Sequence, residues 1–267
     1  MHEHLTLVLC LMGVAGLLIG FVSALLGIGG GMLMVPALFY LFGLLEAPEA
    51  NRMHLAAGTS LLVMLATSVG SVWSHARTGN VVWRITIRVL PGIAVGVISG
   101  ALLASILATD VLVTIFAVVL ALVALLMVFG FKATPKQRPL PGALTATGIG
   151  GVIGFKSGLL GVGGGALSVP WLTWLGLPQH EVSGTSSTFT LPAAVVGSIA
   201  FLVSGFGEVE LPLTVGYLFW PALPIAGGAS ILATSVGARL ARRVPGRLLR
   251  IVFGLLLIGV SAGMLLG

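Results

Sequence analysis

The sequence predicts an all-α polytopic membrane protein. It is made of two inverted-topology repeats of about five segments each, with a glycine-broken helical hairpin in each repeat. Three observations predict this class. Apolar residues make up 57% of the 267-residue chain and charged residues 7%, with a mean hydropathy of +1.16. A water-soluble domain of that length has no interior large enough to hide so much apolar surface. One apolar stretch occurs twice, 134 residues apart. Basic residues crowd opposite members of equivalent loop pairs in the two halves. Alternation of period two is absent, which argues against a β-barrel.

The duplicated stretch reads GFVSALLGIGGGMLMVP at 20–36 and GFKSGLLGVGGGALSVP at 154–170, identical at 12 of 17 positions. In each copy an apolar helical run meets four glycines within five residues, and a shorter apolar run follows. Glycine costs about 1 kcal/mol per helical residue relative to alanine, so such a cluster ends a helix. The break exposes backbone polar groups in an apolar setting, where something polar must satisfy them.

Ten apolar segments follow from this punctuation: 5–26, 32–45, 55–74, 85–108 (interrupted at Pro91-Gly92), 111–131, 142–160, 166–177, 184–206, 213–240 (with Pro221 and Pro224 inside) and 251–266. The first is too long for a cleaved signal peptide and has no basic leading region, so it is read as a span. The stretch KATPKQRPLPG is Pro-rich and charged. It divides the chain into a first membrane repeat (1–131), a linker (132–141) and a second, inverted membrane repeat (142–267). The order of landmarks recurs in the second half: His54 with Gly58-Thr59-Ser60 is matched by His180 with Gly184-Thr185-Ser186.

An odd number of segments per repeat inserts the halves upside down relative to each other. Loop charge agrees. The loop after the third segment carries Arg77, Arg84 and Arg88, and its counterpart Glu208 and Glu210. The loop after the fourth carries only Asp110, and its counterpart Arg239, Arg242, Arg243, Arg247 and Arg250. Under the positive-inside rule the 132–141 linker is cytoplasmic and both termini are extracytoplasmic. The net charge of +6 therefore reports topology and not a nucleic-acid partner. The second and seventh segments reach only about 20 Å as helix against a hydrocarbon core of ~30 Å. Re-entrant hairpins and tilted spans both satisfy the loop charges.

Helices broken at corresponding places in two inverted halves mark a transporter's binding site. The short helix after each break offers unpaired N–H groups and the positive end of its dipole, a setting that favours an anion. The candidate substrate residues are Gly29, Gly30 and Gly31 with Gly163, Gly164 and Gly165. Against this, glycines also serve close helix packing. The hydroxyls of Thr59, Ser60, Thr185 and Ser186 are candidate donors to substrate oxygens, with Ser187 and Thr188 extending the strip. Capping and back-bonding are the structural alternatives. Lys156 is the only Lys or Arg inside an apolar segment away from a loop. A buried ammonium there attracts an anion, whereas one near a helix end snorkels. Every Asp and Glu falls in a loop or at an end, so a carboxylate relay is not expected. His54 and His180 are the candidates for proton coupling, since imidazole titrates near neutral pH.

GVGGGA at 161–166 matches a dinucleotide fingerprint by letter but follows no strand, so that reading is rejected. No P-loop, metal-ligand cluster or nucleophile–base pair is legible, and no cofactor, metal or enzymatic activity is expected. The single cysteine, Cys10, forms no intrachain disulfide.

The paired G-F-x-S-x-L-L-G-x-G-G-G-x-L-x-V-P stretches, each followed by H-x-x-x-G-T-S, resemble the TauE/SafE family of membrane permeases, the sulfite exporter and sulfonate transporter group. The resemblance covers essentially the whole chain. It implies an inner-membrane permease for small sulfur-containing oxyanions such as sulfite or organosulfonates. Its hallmark positions fall on the two glycine breaks and on Gly58-Thr59-Ser60 and Gly184-Thr185-Ser186. The expectation is alternating access at a midplane site between the repeats. The expected partners are a small anion and the lipid bilayer, and a homo-oligomer stays open. An anion channel is the nearest rival. A non-transporting assembly or maturation partner is disfavoured, because no large soluble loop exists.

Overall fold

In lipid a backbone must satisfy its own polar groups, and runs this apolar do so as helices. A computed structural model describes residues 2–26, 30–129, 138–241 and 246–266. Its first half contains α1 (His2–Leu26), α2 (Gly31–Leu44), α3 (Glu49–Arg77), α4 (Trp83–Ile106) and α5 (Thr109–Phe129). The second contains α6 (Ala143–Leu160), α7 (Gly165–Trp174), α8 (Gln179–Ser204), α9 (Gly228–Ala241) and α10 (Gly246–Leu266). Among the described residues, six helices are long and apolar enough to cross a membrane. With 14 and 10 residues, α2 and α7 are the short helices after the breaks. Linker residues 132–137 and Gly29 lie outside the described residues.

Two segments differ from expectation. α4 is continuous through Pro91, where the sequence predicts an interruption. Neighbouring helices stabilise a proline within a membrane helix, and Pro36, Pro170 and Pro192 also sit inside helices. The 213–240 segment is not one helix. Leu213 and Gly216 have φ of 63° and 60°, and an antiparallel ribbon forms there from β1 (Thr214–Val215) and β2 (Leu218–Phe219). A π-helical turn, Leu223–Gly227, then leads into α9. Pro221 and Pro224 lack the N–H that an earlier helix start would use.

The halves interleave. α6 packs along α4, α1 along α9, α8 across α3 and α10 against α5. Equivalent residues make these contacts with the halves exchanged. A methyl on Gly16 would collide with the backbone of Ala226, and one on Gly150 with that of Val89. Likewise Gly20 lies on Ser230, and Gly154 on Ile93. Within these pairs the glycines differ by 134 positions and their partners by 137. Ser230 strengthens the first seam by donating its hydroxyl to the Gly16 carbonyl at 2.9 Å.

The sequence-equivalent helices α3 and α8 run antiparallel. Gly58, near the start of α3, faces Phe201 near the end of α8, and Leu61 faces Gly197. Asn80, just beyond α3, lies against Gly184 at the start of α8. Outward-facing side chains such as Val95, Ile106, Phe129 and Leu144 are exposed and apolar, as a lipid-facing surface requires.

The seams carry the first prediction. Leucine at Gly154 would drive into the Ile93 backbone, which has no rotamer to yield. Overpacking costs about 1–3 kcal/mol, so the detergent-solubilised Gly154→Leu protein should melt about 5 °C lower or more. An unchanged melting temperature would contradict this packing.

Candidate functional site

The second break is built from two left-handed glycines. α6 ends at Gly161 (φ 70°), whose N–H donates to the Ser157 carbonyl at 2.9 Å, and Gly163 follows at φ 67°. Gly164 is the N-cap of α7 and Gly165 its first residue. At the first break, Gly30 is the N-cap of α2, and its carbonyl accepts the N–H groups of Leu33 and Met34 at 3.2 and 3.0 Å. The two breaks touch. A methyl on Gly31 would lie 2.7 Å from both the Cα and the carbonyl oxygen of Val162. Met64 of α3 and Thr190 of α8, at equivalent positions in the two halves, both reach Gly163. Phe189 covers Gly164.

Lys156 does not snorkel. It is 8% exposed, and its Nζ donates to the Gly163 carbonyl at 3.1 Å. Beside it is a cavity of about 10 Å³, lined by Met32 of α2, Phe116 and Leu120 of α5, and Val162 and Ala166 of the second break. A cavity needs roughly 10–15 Å³ to hold one water, so the space is too small for any polyatomic ion.

Thr59 and Thr185 do something the sequence does not suggest. The Thr59 hydroxyl accepts the backbone N–H of Phe219 at 3.1 Å, and the Thr185 hydroxyl accepts that of Val82 at 3.0 Å. Each is a clasp onto the other half, and the glycine before each threonine lets that chain approach. Gly58 lies against the Tyr217 carbonyl and Gly184 against the Asn80 carbonyl. Replacing either threonine by valine strands a backbone N–H, at a cost of about 1–3 kcal/mol. Thr59→Val and Thr185→Val should each melt several degrees lower, and Thr→Ser at either position should melt as the parent does. Equal melting of the valine and serine variants would remove the clasp.

The remaining hydroxyls divide by partner. Ser186 pairs with Ser168 at 2.6 Å. Ser187 donates to the Gly184 carbonyl, and Thr188 to the Thr185 carbonyl. Ser60 and Ser157 are fully buried, and their hydroxyls have no hydrogen-bond partner. The histidines also part company. His54 is buried, stacks on Tyr217, and has Nε2 2.9 Å from the Ala104 carbonyl, while its Nδ1 is unpartnered. His180 is exposed at the start of α8.

The model of the family described as Sulfite exporter TauE/SafE matches residues 12–264. The chain belongs to the TauE/SafE family. It is 33% identical over 264 residues to a Probable membrane transporter protein of Haemophilus influenzae, covering 97% of this chain and 98% of that one. A Probable membrane transporter protein of Methanocaldococcus jannaschii is 26% identical, with 94% and 93% coverage. The Probable membrane transporter protein YunE of Bacillus subtilis is 27% identical, with 92% and 94% coverage. No solved structure matches the chain. This TauE/SafE chain is thus a multi-pass membrane protein of a transporter family.

Sequence reasoning overlooked Ser157, Met64, Thr190 and Val162. Ser157 left a signal, because Ser23 stands at its place in the first repeat. The others left none: Met64 and Thr190 are unlike residues, and only the α3·α8 crossing brings them together.

Proposed function

We propose that this protein is an inner-membrane permease for small sulfur-containing oxyanions such as sulfite or organosulfonates. It works by alternating access at a site between the two repeats. The observation that carries the reading is the meeting of the two glycine breaks, Gly31 on Val162, beside a buried ammonium, Lys156. A lone cation in a dry interior is costly unless compensated, and a transported anion compensates it. The short helix α7 begins at this point and turns the positive end of its dipole toward an incoming anion. The sulfur-oxyanion class is supported by the family description.

The smallness of the cavity beside Lys156 supports alternation over an open pore, since a polyatomic anion fits there only when the halves move. In this reading Thr59 and Thr185 clasp opposite ends of the molecule, the 132–141 linker is cytoplasmic and both termini are extracytoplasmic.

Proteoliposome counterflow tests the proposal. Saturable uptake of sulfite or an organosulfonate should accelerate when the same anion is loaded inside. Flux linear in concentration and indifferent to the trans anion would instead establish a channel. Gly30→Leu and Gly164→Leu should both lose the accelerated flux, and wild-type rates in both would count against the breaks as the site.

A further inference from the structure

We infer that the second glycine break binds one monovalent oxyanion, held by Lys156 together with the hydroxyls of Ser157 and Ser60. The inference rests on the transport reading above, and adds to it the charge of the cargo and a residue, Ser157, that holds it.

The levels of the two serines follow from the packing. A methyl on Gly161 would lie 2.5 Å from the Cα and carbonyl oxygen of Ala57, so α6 and α3 meet there. Ser157 lies one turn before Gly161 in α6, and Ser60 about one turn after Ala57 in α3. The two helices run in opposite directions. The segment after α3 leads into α4, where Arg88 Nη1 donates to the Pro141 carbonyl at 2.8 Å, next to the start of α6. α6 then ends at Ala57, near the start of α3. Both serines are therefore displaced the same way from one contact and stand at one depth. Both hydroxyls are fully buried without a partner. Native interiors keep few such groups, and two at one level beside a broken helix point to a ligand that completes them.

The donor inventory names the ligand's chemistry. Lys156 carries three N–H donors, of which the Gly163 carbonyl takes one. Ser157 and Ser60 add two hydroxyl donors, and the ten-residue α7 begins alongside. A site with surplus donors takes a ligand rich in acceptors, which is an oxyanion. The charge count is equally plain. Lys156 is the only Lys or Arg within an apolar segment away from its ends, and no Asp or Glu lies there. One positive charge, carried by Lys156 when an anion is bound, matches one negative charge. A dianion would leave its second charge unpaired in apolar surroundings.

Methanesulfonate and sulfate test this, since both present a tetrahedral sulfur bearing oxygens but differ in charge. In counterflow with the full-length chain, methanesulfonate should move at least about tenfold faster than sulfate at equal concentration, and Ser157→Ala should raise its KM by about tenfold with kcat little changed. Ser157→Thr, which keeps the hydroxyl, should restore the KM. In a thermal-shift assay that needs no variant, methanesulfonate should raise the melting temperature of the wild-type protein and sulfate should not. Equal saturable flux of the two anions, or equal stabilisation by them, would overturn the charge selection and leave the transport reading standing. A wild-type KM in both Ser157→Ala and Ser60→Ala would overturn the hydroxyl roles. If well-folded protein moves neither anion and is stabilised by neither, the inference and the transport reading fall together.

Discussion

Lys156→Met is expected to abolish transport while leaving the protein at least as stable as its parent. The two effects have opposite signs for one physical reason. A buried ammonium with a single carbonyl partner, as Lys156 has in Gly163, is incompletely compensated in the empty state. Replacing a buried charge by an apolar side chain of similar volume is often neutral, or stabilising by about 1–4 kcal/mol. The loaded state loses its counter-charge. Removing one partner of a buried charge pair costs about 2–5 kcal/mol, or roughly 30-fold to several thousand-fold in flux at limiting substrate. Melting temperature and counterflow measured on the same preparation separate the possibilities. A structural lysine would show the reverse, with a lower melting temperature and normal flux in the protein that survives.

The second large effect concerns adjacent glycines that the sequence treats alike. Gly31→Ala should cripple transport, and Gly30→Ala should be tolerated. A methyl on Gly31 meets backbone atoms of Val162 at 2.7 Å, so the two breaks must separate to admit it. A methyl on Gly30 meets only a side-chain methyl, Cγ2 of Ile19, at 3.2 Å, and Gly30 already has an ordinary helical φ of −76°. Small shifts of a binding site can cost on the order of a hundredfold in rate, whereas a side chain that yields costs little. Flux in Gly31→Ala is therefore expected to fall at least about tenfold below that of Gly30→Ala, both assayed in proteoliposomes. Equal flux in the two would mean that contact between the breaks has no part in the cycle.

Much of the fold is legible in the sequence because the cues are local. Helix ends at the glycine clusters, the shortness of α2 and α7, and the order of the ten segments all follow from backbone propensity and from the cost of unsatisfied groups in lipid. The 213–219 ribbon was not legible, because its turn depends on positive φ at Leu213 and Gly216 and on the Thr59 clasp, a contact 160 residues distant in sequence. The candidate site was legible in part. The two breaks and Lys156 stand out as violations of apolar patterning. Thr59 and Thr185 were visible as a motif, but their hydroxyls accept backbone donors of the opposite half, which no spacing reveals. Ser157 was visible only as the repeat of Ser23, and its missing partner was not, since a serine in a helix normally satisfies itself on the preceding turn.

Composition by itself determined that this chain lives in a bilayer as a helical protein, and the duplicated stretch that the same glycine pattern occurs twice along it. Hydropathy and glycine act within a few residues of where they occur, so no neighbour is needed to read them. Only the tertiary structure decided that the two breaks touch, that Lys156 turns inward to Gly163 and not out to the headgroups, and that Ser60 and Ser157 share a level. The first and last of those facts arise from segments more than 90 residues apart in sequence lying against one another, where backbone meets backbone across glycine, and the lysine follows the local turn that this packing holds. Contacts of that kind belong to the packing of the two halves and leave no mark in either half alone.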